Sequence, residues 1–125
     1  IDFARPVAVL FVAVLHFLTD EDRPWEQVAA FRWRMTSGSM LAVSHITADD
    51  TPLDVQATIQ AVYAEASAPA VFRTRRDIET FFGGLDLAEP GLVEVGAWRS
   101  LRSSPPAPLR FLGGVARLTP DREQS

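Results

Sequence analysis

Cysteine and lysine are both absent from this chain of 125 residues, whose twelve basic residues are all arginine. Without cysteine there is no disulfide, no catalytic thiolate and no cysteine-ligated zinc, and this absence is typical of a reducing compartment. Without lysine there is no internal Schiff base, which excludes the usual covalent attachment of pyridoxal phosphate. We therefore expect a cytoplasmic protein whose chemistry uses neither thiols nor lysine amines.

An excess of positive charge is also missing, because the formal net charge is -4. Broad attraction to nucleic-acid phosphates or to anionic lipid is therefore disfavoured, and we expect neither nucleic acid nor membrane as a partner. The hydrophobic content of 47% with 22% charged residues indicates a packed domain rather than a disordered chain.

No hydrophobic run is long enough to cross a bilayer. The longest, from Val7 to Leu18, ends in "TDED", whereas a spanning helix needs about 20 apolar residues. A signal peptide would end in small residues, but "LHFLTDED" carries bulky side chains and acids. The run lacks a polar face and is rich in Val, Leu and Phe, which favours a strand from Val7 to Val14 buried on both sides, with a buried helix as the alternative.

The patterns that follow predict alternating helices and strands in one unit over residues 1–125. We expect a helix over about 23–35, a strand from Met40 to Ile46, a helix opening near 50 and closing before Pro69, and a helix capped by Thr74. Strand, helix and strand in this order fit a right-handed parallel crossover. The last two strands, near 92–97 and 109–119, are expected to pair antiparallel across the loop "LRSSPPAP". The prediction is an α/β fold of the order β-α-β-α-α-β-β.

The only two histidines, His16 and His45, fall at the predicted carboxyl ends of the first two strands. Open parallel sheets bind ligands at this edge, although a packing role for histidine is equally well supported. Ser44 and His45 are adjacent, so on a strand they face opposite sides and do not form a nucleophile and base. A metal site of His16, His45, Asp20 and Asp49 lacks a ligand spacing, and we predict none.

Three further features are ambiguous. Arg73, Arg75 and Arg76 could bind an anion, but beside acidic residues they are more typical of a solvated helix start. The glycine pairs end a helix or lie inside a strand, so neither forms a phosphate-binding loop. Trp98, at the end of a late strand, could line a substrate pocket or pack at the edge of the core.

Several segments together resemble a known family. "VLHFLTDED", "SGSMLAVSH", "RTRRDIETFFGGLDLAEPGLVEVGAWR" and "GGVARL" look like the C-terminal half of a mostly actinobacterial group of class I S-adenosylmethionine-dependent methyltransferases. The spacing from "EPGLV" to "WR" is the most specific part. The resemblance implies a Rossmann-like methyltransferase fold, in which the first two strands here are the parallel strands four and five, and it implies S-adenosylmethionine as the cofactor.

The resemblance also implies roles for individual residues. The floor of the cofactor pocket would come from five residues at the end of the first strand: Val12, Ala13, Val14, His16 and Phe17. The substrate side would come from four residues: Ser44, His45, Tyr63 and Trp98. Methyl transfer from a sulfonium mainly needs alignment, and a neutral histidine suits removal of a proton from an acceptor hydroxyl. By position we assign that catalytic role to His45, and His16 would order the turn under the cofactor.

The chain also departs from the family. Members are about twice as long, and their N-terminal half carries the glycine-rich loop and the acidic residue that grip the cofactor. Because this chain begins with "IDFARP" and no Met, we expect it to continue a longer polypeptide and to be the C-terminal part of one methyltransferase domain. It would act on a small molecule and associate with the N-terminal half or form a homodimer. The alternative is a non-catalytic α/β module that self-associates through an exposed sheet edge.

Overall fold

A computed structural model describes residues 1–66, 69–98 and 110–119. The predicted loop "LRSSPPAP" and Arg99 lie outside the described residues. Along the chain, the elements are β1 (Ala8–Val12), α1 (Pro24–Arg34), β2 (Met40–Ile46), α2 (Leu53–Ala64), α3 (Arg75–Glu79), β3 (Asp86–Leu87), β4 (Val93–Glu94) and β5 (Phe111–Arg117). Short 3-10 turns follow β1, precede α1, extend α3 and follow β4: Leu15–Phe17, Asp20–Asp22, Thr80–Phe82 and Val95–Ala97.

The five strands form one mixed sheet in the order β1-β2-β5-β3, with β4 also pairing with β5. β1 and β2 are parallel, with Val12 opposite Ser44, as a crossover through α1 requires. β5 is antiparallel to β2, β3 and β4. The predicted antiparallel pairing of the last two strands is confirmed, but β4 is only two residues long and β5 also lies against β2.

The helix boundaries follow from local signals. Pro24 is the first residue of α1, where its missing N–H costs no hydrogen bond. Thr74 caps α3 as predicted, since its side chain accepts a hydrogen bond from the Asp77 amide.

The core lies on one face of the sheet, where the apolar side of α1 and the turn after α3 cover β2 and β5. Its most completely buried side chains include Leu15, Val28, Leu41, Ile78, Phe81 and Phe82.

Two burial predictions are wrong. β1 is a sheet edge rather than a strand buried on both sides: Leu10 is 64% and Val12 is 60% exposed, because no described residue covers the second face of the sheet beside them. The strand also stops at Val12 instead of Val14, since Ala13 leaves the extended conformation.

α2 begins at Leu53 and has no buried residue, although its apolar spacing predicted a packed face. Its core-facing side is only half-buried.

Candidate functional site

The carboxyl end of β1 is a sharp turn. Ala13 has a φ of 53°, in the left-handed region that residues other than glycine rarely adopt. Its amide donates to both the carbonyl and the hydroxyl oxygen of Ser44, at 3.2 and 3.0 Å. Such strained backbone persists only where its surroundings hold it, and it concentrates at functional sites. β2 thus supplies the contact that turns the chain from the strand into Leu15–Phe17.

The two histidines meet at this edge of the sheet, as the crossover predicted. Their ring centroids are 5.6 Å apart with an interplanar angle of 77°. Both are buried, His16 at 5% exposure and His45 at 0%. The edge of the parallel strand pair therefore carries an imidazole pair that solvent hardly reaches.

Both ring nitrogens of His45 are already engaged. Nδ1 donates to the Ile46 carbonyl at 2.6 Å, and Nε2 lies 2.9 Å from a guanidinium nitrogen of Arg73. A guanidinium only donates, so Nε2 carries no proton and the ring is neutral. Burial is the main cause that lowers the pKa of His45 to about 4, and the positive charges of Arg73 and His16 lower it further. This geometry counts against His45 as the general base, because neither nitrogen is left for an acceptor hydroxyl.

Arg73 is the functional candidate that the sequence interpretation missed. The sequence predicts a solvated helix start at this position, but Arg73 is only 3% exposed. It lies one residue before the Thr74 cap, and its guanidinium sits over the ring of Trp25 at 4.9 Å. A hydrophobic residue at the position before an N-cap commonly packs back onto the helix, but an arginine there gives no such signal in the sequence.

His16 differs from His45 in its bonding. Its Nδ1 is buried and has no hydrogen-bond partner among the described residues. Burial lowers the pKa of His16, and the charge of Arg73 lowers it further. Its ring lies against Phe17, with centroids 4.4 Å apart. Phe17 in turn contacts Tyr63 of α2, edge to face, at 5.3 Å.

A second group of predicted residues lines the uncovered face of the sheet. There a shallow apolar cavity of about 240 Å³ is bounded by β1, β2, β5 and the turn after β4. Val12, Ser44 and Trp98 are among its lining residues. The predicted residues therefore form two neighbouring groups, and Ala13 and Val14 connect them: the edge group is His16, Phe17, His45 and Tyr63, and the face group is Val12, Ser44 and Trp98.

The edge group fits one side of a cofactor such as S-adenosylmethionine. The orphaned Nδ1 of His16 offers a buried polar contact, and the half-exposed Val14 and exposed Val12 offer apolar surface beside it. A ligand that has hydrogen-bonding amine groups and apolar carbon surface around a charged sulfonium needs both kinds of contact. These residues offer no polar groups that would bind the rest of such a ligand.

In residues 1–66, 69–98 and 110–119, no three histidine, aspartate or glutamate side chains lie close enough to hold a metal ion. None of the helices in these ranges combines the length and the apolar character needed to cross a membrane.

The family of the chain follows from comparison with known proteins. Residues 1–119 match a family model described as S-adenosyl methyltransferase. The chain belongs to the S-adenosyl methyltransferase family. The family name makes S-adenosylmethionine the cofactor of its members, as the resemblance implied.

Two solved structures of similar proteins superpose closely on this family member. One is a protein from Thermobifida fusca YX assigned as a methyltransferase, 29% identical, with a TM-score of 0.80 over 95% of this chain and 46% of the other. The second is a DUF574 family protein from Streptomyces avermitilis MA-4680, 35% identical, with a TM-score of 0.81 over 94% of this chain and 46% of the other. The predicted α/β methyltransferase fold is confirmed, and the chain spans about half the length of these relatives. No curated protein matches the chain.

Proposed function

We propose that this chain takes part in S-adenosylmethionine-dependent methyl transfer to a small molecule. It would supply part of the floor of the cofactor pocket and the substrate side. The observation that carries the proposal is the strained turn from Ala13 to Phe17 at the carboxyl edge of the parallel strands, in a chain that belongs to the S-adenosyl methyltransferase family. This edge is where open α/β sheets bind their ligands.

The chemistry asks little of the protein beyond alignment. When bound, the cofactor supplies a methyl group on an activated sulfonium. The residues of this chain would orient the acceptor and exclude water from it, with Tyr63 on the substrate side in contact with Phe17 of the cofactor floor. His45 would act through its position rather than as a base, because both of its nitrogens are hydrogen-bonded inside the fold.

The uncovered face of the sheet indicates how the site would be completed. Leu10, Val12 and Val95 are exposed there, around the apolar cavity. Apolar area of this kind marks an interaction surface. Because the solved relatives are about twice as long, we propose that the chain is the C-terminal part of one domain and that an N-terminal half covers this face. The cytoplasm is the proposed compartment, on the absence of cysteine.

Calorimetry tests the proposal directly. S-adenosylmethionine is titrated into the natural gene product, including any residues that precede Ile1, and into the 125-residue chain alone. We expect micromolar binding by the natural gene product, and binding by the isolated chain at least tenfold weaker, since it offers one side of the pocket. Absence of binding below millimolar concentration in the natural gene product would overturn the proposal.

A second candidate function is favoured by the exposed edge of β1. The outer edge of β1 has no partner strand among the described residues and could pair with another copy, so the chain could be a non-catalytic module that self-associates. Light scattering of the isolated 125-residue chain separates the two. A dimer that binds no cofactor would favour the module, and a monomer would exclude pairing through this edge.

A further inference from the structure

The residue that holds the edge group together is Arg73, which the family assignment does not mention. Its backbone is fixed to the end of β2, since it forms a parallel bridge with Thr47 and its carbonyl accepts from the Ala48 amide at 2.9 Å. The guanidinium therefore starts from a rigid position at the carboxyl edge of the sheet. Nothing about it resembles a solvated side chain, because only 3% of it is exposed.

The Arg73 side chain binds the turn that follows β1, here called the LHFL turn (Leu15–Leu18). Nη1 donates to the Leu15 carbonyl at 3.1 Å, and Nη2 donates to the Leu18 carbonyl at 2.8 Å. The segment next to Arg73 adds a third contact, because the Val71 amide donates to the His16 carbonyl at 2.7 Å. Residues 71–73 thus donate hydrogen bonds to three of the four carbonyls in the turn. The two carbonyls bound by the guanidinium flank His16 and Phe17.

The same guanidinium fixes His45. Nη1 donates to its Nε2 at 2.9 Å, which sets the neutral tautomer and the ring orientation. Nη2 also pairs with Asp20 at 2.9 Å, but that carboxylate is 75% exposed. One buried cation therefore links the LHFL turn to β2 and to the first residues before α1.

The buried guanidinium contributes little net stability, but it fixes the geometry of the groups that it binds. A buried guanidinium loses its hydration, and a single, mostly exposed carboxylate returns little of that cost. Apolar side chains in place of the guanidinium and of all the groups it binds would stabilise this place at least as well, whereas removing the guanidinium alone leaves buried acceptors without a donor. What only a planar fork of donors provides is a fixed spacing between two carbonyls and an imidazole.

We propose that Arg73 is a positioning residue for the cofactor side of the site, acting through the LHFL turn and His45. The inference rests on the proposed function, because the LHFL turn is the part of the chain assigned to the cofactor pocket. Arg73 itself does not have to touch the cofactor. Its role is to keep His16 and Phe17 in the one orientation that fits the ligand.

The test uses the natural gene product with three substitutions. Arg73→Lys keeps the charge but replaces the fork by a single nitrogen, and Arg73→Met keeps an unbranched apolar stem without the charge or the fork. Arg76→Met is the matched control, because Arg76 is an exposed arginine three residues away. The measurements are the Kd for S-adenosylmethionine by calorimetry, the unfolding midpoint in urea, and the tautomer of His45 from its ring nitrogen shifts in NMR.

We expect Arg73→Lys to weaken cofactor binding by about tenfold or more and Arg73→Met to weaken it further, with both variants assayed in the absence of urea where they remain folded. Both should also lower the urea midpoint, because buried acceptors lose a donor. Arg73→Met should change the ring nitrogen shift of His45 Nε2, which loses its donor while Nδ1 keeps the Ile46 carbonyl, whereas Arg76→Met should leave all three measurements unchanged. Equal Kd values for the wild type and Arg73→Lys would overturn the inference, as would a loss of affinity without any change at His45. A wild-type protein that binds no cofactor is a different result, since it overturns the proposed function and this inference with it.

Discussion

The buried, neutral His45 makes the stability of the protein depend on pH in a defined window. The folded pKa of His45 is lowered to about 4 from the ordinary 6.5, mainly by burial. Between these two pH values the unfolded chain binds a proton at this residue and the folded chain does not, so stability rises with pH. Above pH 6.5 both states are neutral and His45 adds no further dependence. At about 1.4 kcal/mol for each pKa unit, His45 lowers the unfolding free energy by roughly 3 kcal/mol between pH 6.5 and pH 4.

Urea unfolding at a series of pH values measures this loss in the wild type and in His45→Gln, whose amide oxygen can still accept from Arg73. Contributions from His16 and from the carboxylates are shared by both proteins and cancel in the difference. We expect the wild-type curve to be steeper by up to about 1.4 kcal/mol per pH unit over this window. NMR titration of the wild type provides an independent value. Parallel curves, or a His45 signal that titrates near 6.5, would refute the reasoning.

Two further predictions concern packing under the site. Phe81 is fully buried and stacks on Trp25 at 5.0 Å, so Phe81→Ala should lower the unfolding free energy by about 3–5 kcal/mol, and Phe81→Leu by clearly less, in urea titrations. Equal losses of unfolding free energy in the two variants would contradict this, because they would mean that the surrounding side chains close around alanine as well as around leucine. Gly83 has a φ of 59° with a ψ of -129°, outside the left-handed region that other residues can adopt, and an added Cβ would also displace the flexible end of Arg32, whereas Gly91 has a φ of 85° and open space around it. Gly83→Ala should therefore cost more than Gly91→Ala, for which backbone strain of about 1–3 kcal/mol is the only term, and thermal melts that rank them in the reverse order would contradict this account.

The parts of the fold that the sequence predicts well are those with local causes. β2 has the predicted bounds, Met40–Ile46, because its apolar run is bounded by Gly38 and by polar residues. α1 begins and ends within a residue of the expected positions, and Thr74 caps α3 through its own side chain. In each case the deciding interaction lies within a few residues of the element.

The parts that it does not predict depend on partners far along the chain. Arg73 reads as a surface arginine because the carbonyls it binds lie more than fifty residues earlier, at Leu15 and Leu18. The neutral state of His45 depends on that same guanidinium, so the choice of His45 as a base could not be weighed from the sequence. The apolar run of β1 correctly indicates a strand, but its composition alone does not tell whether a covering layer lies within residues 1–125.

The place of β5 in the sheet has a consequence for how the protein is made. β5 is among the last segments of the described chain to be synthesised, yet it lies between β2 and β3 and also pairs with β4. Until residues 111–117 have left the ribosome, β2 has one open side and the two short strands have no partner at all. Each of these strands is far from β5 in sequence, and closing the intervening chain costs conformational entropy. A nascent chain that is interrupted before residue 111 therefore exposes strand edges that other chains can pair with.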